Sequence, residues 1–264
     1  MNICYLDFWE GFDPNCNWFN CLFQDIYENR EFNFNSTAEE ADVIFASSFG
    51  LERYKVKNSK AVKIFYTGEN ERPDLDFGDF SLSFDFDTYG GRNFRLPHWY
   101  LYINWWNIPN FPHARISKEQ LFYKWSPEEI YERKNFCSIV IGNPVANRIE
   151  VVQKLAHISK SDSIHGYGRV FNNPYSGCKV DLLKNYRWNI CFENSIAEGY
   201  VTEKLLEAKV AGCIPIYYGT NSASIDFNEH CYINYANFKS VEDLVGLICR
   251  YDGNKDLFLS IANQ

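Results

Sequence analysis

The chain has 264 residues, of which 46% are hydrophobic, so it carries enough apolar material for one large core or two modest ones. A net charge of −8 and a pI near 5.2 argue against nucleic acid or an anionic bilayer as the main partner. The N-terminus MNICYLDFWEG lacks a basic region and a long apolar run, and no stretch is long and apolar enough to span a bilayer.

Nine cysteines are scattered without a CxxC pair, and several (Cys137, Cys191, Cys213) sit inside apolar runs as small hydrophobes. An odd number without spacing suits a reducing compartment, so the cytoplasm is the expected location. Aromatic residues make up 18%, which suits a carbohydrate-handling surface and equally an aromatic-rich core.

In chain order, Asn2 to Phe8 reads as a first strand, and Trp18 to Tyr27 has apolar residues at helical spacing. Phe32 and Phe34 alternate with asparagines, which predicts a short strand. Ala41 to Ala46 and Ala61 to Tyr66 are compact buried strands, and the second empties into Thr67-Gly68-Glu69-Asn70. Ser81 to Phe84 is a further strand in an aromatic, acidic region. Ser117 to Arg133 reads as helical, with Ser126-Pro127-Glu128-Glu129 as a start signal.

A domain boundary is expected near Glu132 to Asn135, giving domains 1–133 and 134–264. Phe136 to Ile141 is a strand, Gly142-Asn143-Pro144 a turn and Ala146 to Ile158 a helix. Ser163 to Gly168 gives a short strand and a glycine turn, and Lys179 to Tyr186 a short helix. Cys231 to Asn234 is a late strand and Val241 to Arg250 a late helix, whereas Asp252 to Gln264 carries little signal. Strands alternating with helices favour parallel α/β sheets.

The most informative stretch is NICFENSIAEGYVTEKLLEAKVAGCIPIYYG, from Asn189 to Gly219. It reads as strand, polar loop, a helix capped by Thr202 and closed by Gly212, then a buried strand. Glu203 and Lys204 fall in the helix's first turn, beside free N–H groups and the positive end of the dipole. A lysine there works against the dipole unless an anion sits in front of it, and a pyrophosphate would supply one. Glu203 would then face a hydroxyl or a developing positive charge. The pairing of a cation for phosphate with a carboxylate for sugar points to a nucleotide-sugar site.

Phe192-Glu193-Asn194-Ser195, Tyr200-Val201-Thr202-Glu203-Lys204-Leu205 and Gly212-x-Ile214-Pro215-Ile216-x-x-Gly219 together resemble the signature of the α-1,3-fucosyltransferases. The resemblance implies a GT-B fold, two Rossmann-like α/β domains facing a cleft, with the acceptor held by the N-terminal half and GDP-fucose by the C-terminal half. It implies transfer of L-fucose from GDP-β-L-fucose, with inversion, to a GlcNAc hydroxyl (α-1,3, with α-1,4 left open) of N-acetyllactosamine or Lewis-type glycans. No cofactor is required, since GDP-fucose is a substrate. The partners are then the donor and an oligosaccharide acceptor, without nucleic acid. Peripheral membrane contact and oligomeric state stay open.

Such a transfer needs a base for the acceptor hydroxyl, cations or dipoles for the departing diphosphate, and tolerance of oxocarbenium-like charge. Glu69 is the expected base, at the end of a parallel strand where α/β sites gather; similar enzymes carry a glutamate before a proline-containing loop in this role. Glu71 is a nearby competitor. Lys204 and Arg148 are expected on the diphosphate, with Arg169 in reserve, since a guanidinium can grip phosphate bidentately. Asn194 and Tyr200 match donor-contacting positions, and Glu203 matches a carboxylate facing ribose or fucose. Glu193 matches the motif in a structural capacity.

Asp85-Phe86-Asp87 has the Asp-x-Asp form of metal-dependent transferases, but it lies in the proposed acceptor half, away from the donor motif, so no metal is expected. The five histidines show no zinc spacing, and there is no dinucleotide glycine fingerprint to support an oxidoreductase. A non-catalytic glycan-binding module on a transferase fold is the alternative from another class.

Overall fold

The computed structural model describes residues 1–112, 114–142, 146–159 and 164–264, with the side chains of 146–148 and 158–159 outside the description. It divides into two compact units, Met1–Lys118 and Glu119–Gln264.

The first unit runs β1 (Ile3–Leu6), α1 (Trp18–Ile26), β2 (Val43–Ala46), α2 (Glu52–Lys55), β3 (Val62–Tyr66), β4 (Phe80–Ser83) and β5 (Asn93–Arg95). The five strands pair in parallel in the order β1-β2-β3-β4-β5. All four residues of β2 are buried, as an interior parallel strand covered on both faces requires. Asn17 caps α1 by accepting from the Asn20 N–H at 3.0 Å. On one face of the sheet the α1 residue Phe19 packs 4.5 Å from Phe45 and 4.9 Å from Tyr66, ring centre to ring centre. The other face is closed by Cys4, Ile44, Ala46, Phe65 and Phe77. A separate parallel pair, β6 (Ile103–Asn104) with β7 (Ile116–Ser117), ends the unit.

The expected strand at Phe32 to Phe34 is reduced to one bridge between Asn2 and Asn33. The two phenylalanine rings, two residues apart and so on the same side of the extended chain, stack on each other at 5.3 Å.

In the second unit the helix expected over 117–133 breaks in two, α3 (Lys118–Phe122) and α4 (Pro127–Tyr131). The residue before a proline is pushed out of helical geometry, and Ser126 is extended (ψ 129°). Trp125 uses the break to donate to the Val210 carbonyl at 2.9 Å. The Arg133 guanidinium donates to the carbonyls of Tyr186 (2.8 Å) and Ala211 (2.9 Å). These bonds make 119–133, counted from the sequence with the N-terminal domain, part of the second compact unit.

The chain continues β8 (Asn135–Val140), α5 (Ala146–Ser159), β9 (Ile164–Tyr167), α6 (Lys179–Leu183), β10 (Tyr186–Ile190), α7 (Glu203–Val210), β11 (Ile214–Tyr217), β12 (Ile233–Asn234), α8 (Val241–Asp252) and α9 (Lys255–Ala262). The strands are all parallel, in the order β12-β11-β10-β8-β9. The chain leaves β8 toward β9 at one edge and returns to β10 on the other side of β8. That reversal is a topological switch point, and crevices for ligands form beyond the carboxyl ends of the strands there.

The C-terminal segment, weak in sequence signal, is well anchored. Phe258 of α9 is fully buried and packs edge-on to Trp188 and Tyr131. Asp252 takes two bonds from Arg187 (2.7 and 2.8 Å) and one from the Trp188 indole (2.8 Å).

Candidate active site

In the second unit the site is built where β10 ends at the switch point. Beyond Ile190 the chain stays buried through Cys191 and Phe192 and delivers Glu193, whose side chain is 0% exposed. One carboxylate oxygen accepts from the Thr202 backbone N–H at 2.8 Å; the other accepts from the Thr202 hydroxyl at 2.6 Å and from Lys204 Nζ at 3.2 Å. Lys204 also donates to Thr202 Oγ1 at 2.8 Å and lies 3.4 Å from Glu203 Oε1. Thr202 is therefore at the N-cap position of α7 without making the cap bond expected of it. Its hydroxyl is turned to Glu193 instead, and the glutamate satisfies a backbone N–H at the helix start.

Burial pulls the Lys204 ammonium toward neutrality, but Glu203 and then Glu193 outweigh it and hold the lysine charged well above its ordinary range. One turn further on, Lys179 of α6 pairs with Glu207 at 2.5 Å. Burial raises the Glu207 carboxyl against the pull of Lys179, whereas Lys179 is raised by Glu207 and Glu203 against its own desolvation. Three carboxylates thus face two ammonium groups in one buried cluster at the N-terminal half of α7. A cation fixed in position beside a helix N-terminus is suited to stabilise a diphosphate without reorganising.

Tyr200 is buried three residues before the start of α7, and Glu203 and Lys204 occupy that helix's first turn, so the three lie in one stretch of the site. Asn194 is exposed on the loop next to Glu193. Arg148 lies in the first turn of α5, and its side chain falls outside the described residues. Arg169 follows the glycine turn and is exposed; its guanidinium approaches within 3.7 Å of where a Cβ on Gly142 would lie, at the end of β8. Sequence reasoning missed the centrality of Glu193. The available signal was a carboxylate following directly on a fully apolar strand end, where only a paired charge is tolerated.

In the first unit β3 delivers Thr67-Gly68-Glu69. The Thr67 hydroxyl accepts from the Glu69 N–H at 3.2 Å and sits 3.3 Å from the Glu69 carbonyl, which also accepts from the Glu71 N–H at 2.7 Å. The backbone on both sides of Glu69 is therefore tied down, while the residue itself is exposed. It lines a cavity of about 290 Å³ with Trp9, Phe12, Trp18, Phe49 and Tyr102. Trp9 and Phe12 follow β1, Phe49 follows β2 and Glu69 follows β3, so the cavity lies beyond the carboxyl ends of three adjacent strands. Flat aromatic walls beside one carboxylate suit a sugar ring whose hydroxyl meets the acid. His98 and Tyr66 also line it. Glu71 is exposed and absent from the cavity's lining.

Asp85 and Asp87 organise the loop after β4. Buried Asp85 pairs with Arg72 and accepts from the Tyr89 hydroxyl at 2.7 Å, and Asp87 accepts from the Tyr89 N–H at 2.7 Å.

Two sequence profiles match the chain. That of the alpha-(1,3)-fucosyltransferase FucT N-terminal domain covers residues 3–102, and that of the glycosyltransferase family 10 (fucosyltransferase) C-terminal region covers residues 131–262. The alpha-(1,3)-fucosyltransferase FucT of Helicobacter pylori is 28% identical over 247 residues, which is 86% of this chain and 52% of that protein. The mouse 4-galactosyl-N-acetylglucosaminide 3-alpha-L-fucosyltransferase 9 is 31% identical over 136 residues, 50% of this chain and 37% of that one. The chain thus spans about half the length, or less, of these curated relatives. A crystal structure of an alpha1,3-fucosyltransferase with GDP-fucose superposes with a TM-score of 0.74 at 24% identity, over 100% of this chain and 81% of that one, and shows the shared fold. No described helix is long and apolar enough to cross a membrane. With both profiles meeting the two parallel sheets and the α7 motif, the chain belongs to glycosyltransferase family 10, the fucosyltransferases.

Proposed function

We propose that the chain transfers L-fucose from GDP-β-L-fucose in α-1,3 linkage to a GlcNAc hydroxyl of N-acetyllactosamine or Lewis-type glycans, with α-1,4 transfer left open. The observation that carries this is the pre-set ammonium of Lys204, held by Glu193 and Glu203 at the mouth of α7 within a family-10 chain. Glu69 takes the proton from the acceptor hydroxyl as its oxygen bonds to C1 of fucose. The C1–O bond to the diphosphate breaks on the opposite face, its electron pair leaving with GDP, so the configuration inverts. Lys204, with Arg148, takes up the charge that develops on the leaving group; Glu203, Asn194 and Tyr200 bind the ribose and sugar side of the donor.

In this reading the two units are the Rossmann-like domains of a GT-B transferase. No metal or cofactor takes part, and the reaction runs in the cytoplasm. Incubation with GDP-fucose and a panel of type 1 and type 2 disaccharides in EDTA, followed by mass spectrometry, tests it. A gain of one fucose is expected, lost in Glu69→Ala with GDP binding kept, and lost together with GDP binding in Lys204→Ala. Normal turnover by Glu69→Ala would remove the base assignment. The aromatic cavity alone would also suit a glycan-binding module; glycan binding without any fucose transfer would favour it.

A further inference from the structure

The loop that carries Glu69 is clamped from the side by a pair that does not itself carry the reacting carboxylate. Tyr66, the last residue of β3, is buried, and its hydroxyl lies 3.2 Å from Nδ1 of His98, which opens the short turn His98–Tyr102. Gly68 lies against both of them. A Cβ there would lie 2.0 Å from His98 Nδ1, 2.7 Å from its Cε1 and 2.7 Å from Tyr66 Oη, so no side chain fits unless the pair separates. The imidazole is braced in turn by the Tyr102 ring at 5.3 Å. Tyr66, Gly68, Glu69, His98 and Tyr102 all line the same aromatic cavity.

We infer that His98, hydrogen-bonded to Tyr66 and packed with it against the bare Cα of Gly68, is a positioning residue that sets the backbone from which Glu69 reaches the acceptor hydroxyl. This rests on the reading of Glu69 as the base. Three constraints then act on one short loop. The Thr67 hydroxyl holds the Glu69 N–H, the Glu71 N–H holds its carbonyl, and the His98–Tyr66 pair fixes the peptide before it. A proton acceptor displaced by about 1 Å loses on the order of a hundredfold in rate, whereas ground-state binding of the sugar, spread over several rings, changes little. The residue therefore acts on kcat.

The test compares His98→Asn, whose amide can occupy the position of Nδ1, with His98→Phe, which keeps the ring and deletes the bond. Steady-state transfer is measured against acceptor concentration, alongside hydrogen exchange of the 66–70 amides. His98→Phe is expected to lose on the order of a hundredfold in kcat with acceptor KM within a few-fold, and to exchange faster at 67–69. His98→Asn recovers most of both. The double variant His98→Phe/Tyr66→Phe should be no worse than the worse single one, because the two act as a unit. Full kcat in His98→Phe, or equal loss in the Asn and Phe variants with melting unchanged, overturns the inference. Faster exchange in His98→Phe together with undiminished turnover in Glu69→Gln leaves the clamp standing and sinks the base reading instead.

Discussion

Truncating Glu193 isolates the physics on which the donor side depends. In Glu193→Ala the Thr202 N–H and hydroxyl lose their acceptor, and Lys204, 13% exposed in the parent, keeps the Thr202 hydroxyl at 2.8 Å and, as its carboxylate partner, Glu203 at 3.4 Å. Removing one partner of a buried pair costs about 3–5 kcal/mol, most of it the desolvation of the charge left behind. The lost hydrogen bonds are part of that figure and are not added to it. For a unit of this size each kcal/mol lowers the melting temperature by about 2–4 °C, so a fall of roughly 10 °C is expected. Glu193→Gln should fall between, since its amide oxygen can still accept from the Thr202 N–H. Urea unfolding followed by circular dichroism gives the free energies. The double variant Glu193→Gln/Lys204→Met should recover much of the loss, because neither charge is then stranded. A Glu193→Ala protein within about 1 kcal/mol of the parent would refute the reasoning, for it would mean that water reaches Lys204 as readily as the carboxylate does.

Gly219→Ala should cost about 1–3 kcal/mol in the same assay. Its Cβ would lie 2.2 Å from the hydroxyl of the fully buried Tyr217 and 2.9 Å from Glu193 Cγ, neither of which has room to retreat. Stability should also decline in alkali. Burial pushes the Cys213 thiol from an ordinary 9.0 up to about 12, against the opposing pull of Arg133. The unfolded chain therefore releases this proton before the folded one does. The contribution is intact below about pH 9 and shrinks toward pH 12, by about 1.4 kcal/mol per pH unit for one such group. Urea midpoints between pH 8 and 10.5 would show the slope, and Cys213→Ala should flatten part of it.

Much of this protein was legible residue by residue. The apolar runs at 43–46 and 214–217 are strands because parallel sheets bury both faces and so leave no alternation to blur the signal. The helix from Glu203 ends at Gly212 because its φ of +78° suits a residue without Cβ, and a Cβ there would also strike Trp125. The FEN and YVTEKL segments placed Tyr200, Glu203 and Lys204 in one neighbourhood, since a strand, short loop and helix leave them few ways to separate. Local chemistry misled where distant partners compete. Thr202 looks like an ordinary N-cap, but a carboxylate nine residues earlier takes its hydroxyl. The residues at 255–262 lack a clear pattern, but α9 forms there because Phe258 finds Trp188 and Tyr131.

By itself, then, the order of amino acids determined the alternating strands and helices that call for a parallel α/β class, the helix that presents Lys204 and the loop that presents Glu69, because each element is written within a few residues of chain even though the strands pair at long range, as Ile3 does with Val43. Only the tertiary structure decided that Glu193 is the buried counter-charge of Lys204 and that His98 closes on Tyr66 against Gly68. The second of these pairings spans 32 residues, and no local propensity encodes which distant side chain a buried charge or a bare Cα will meet.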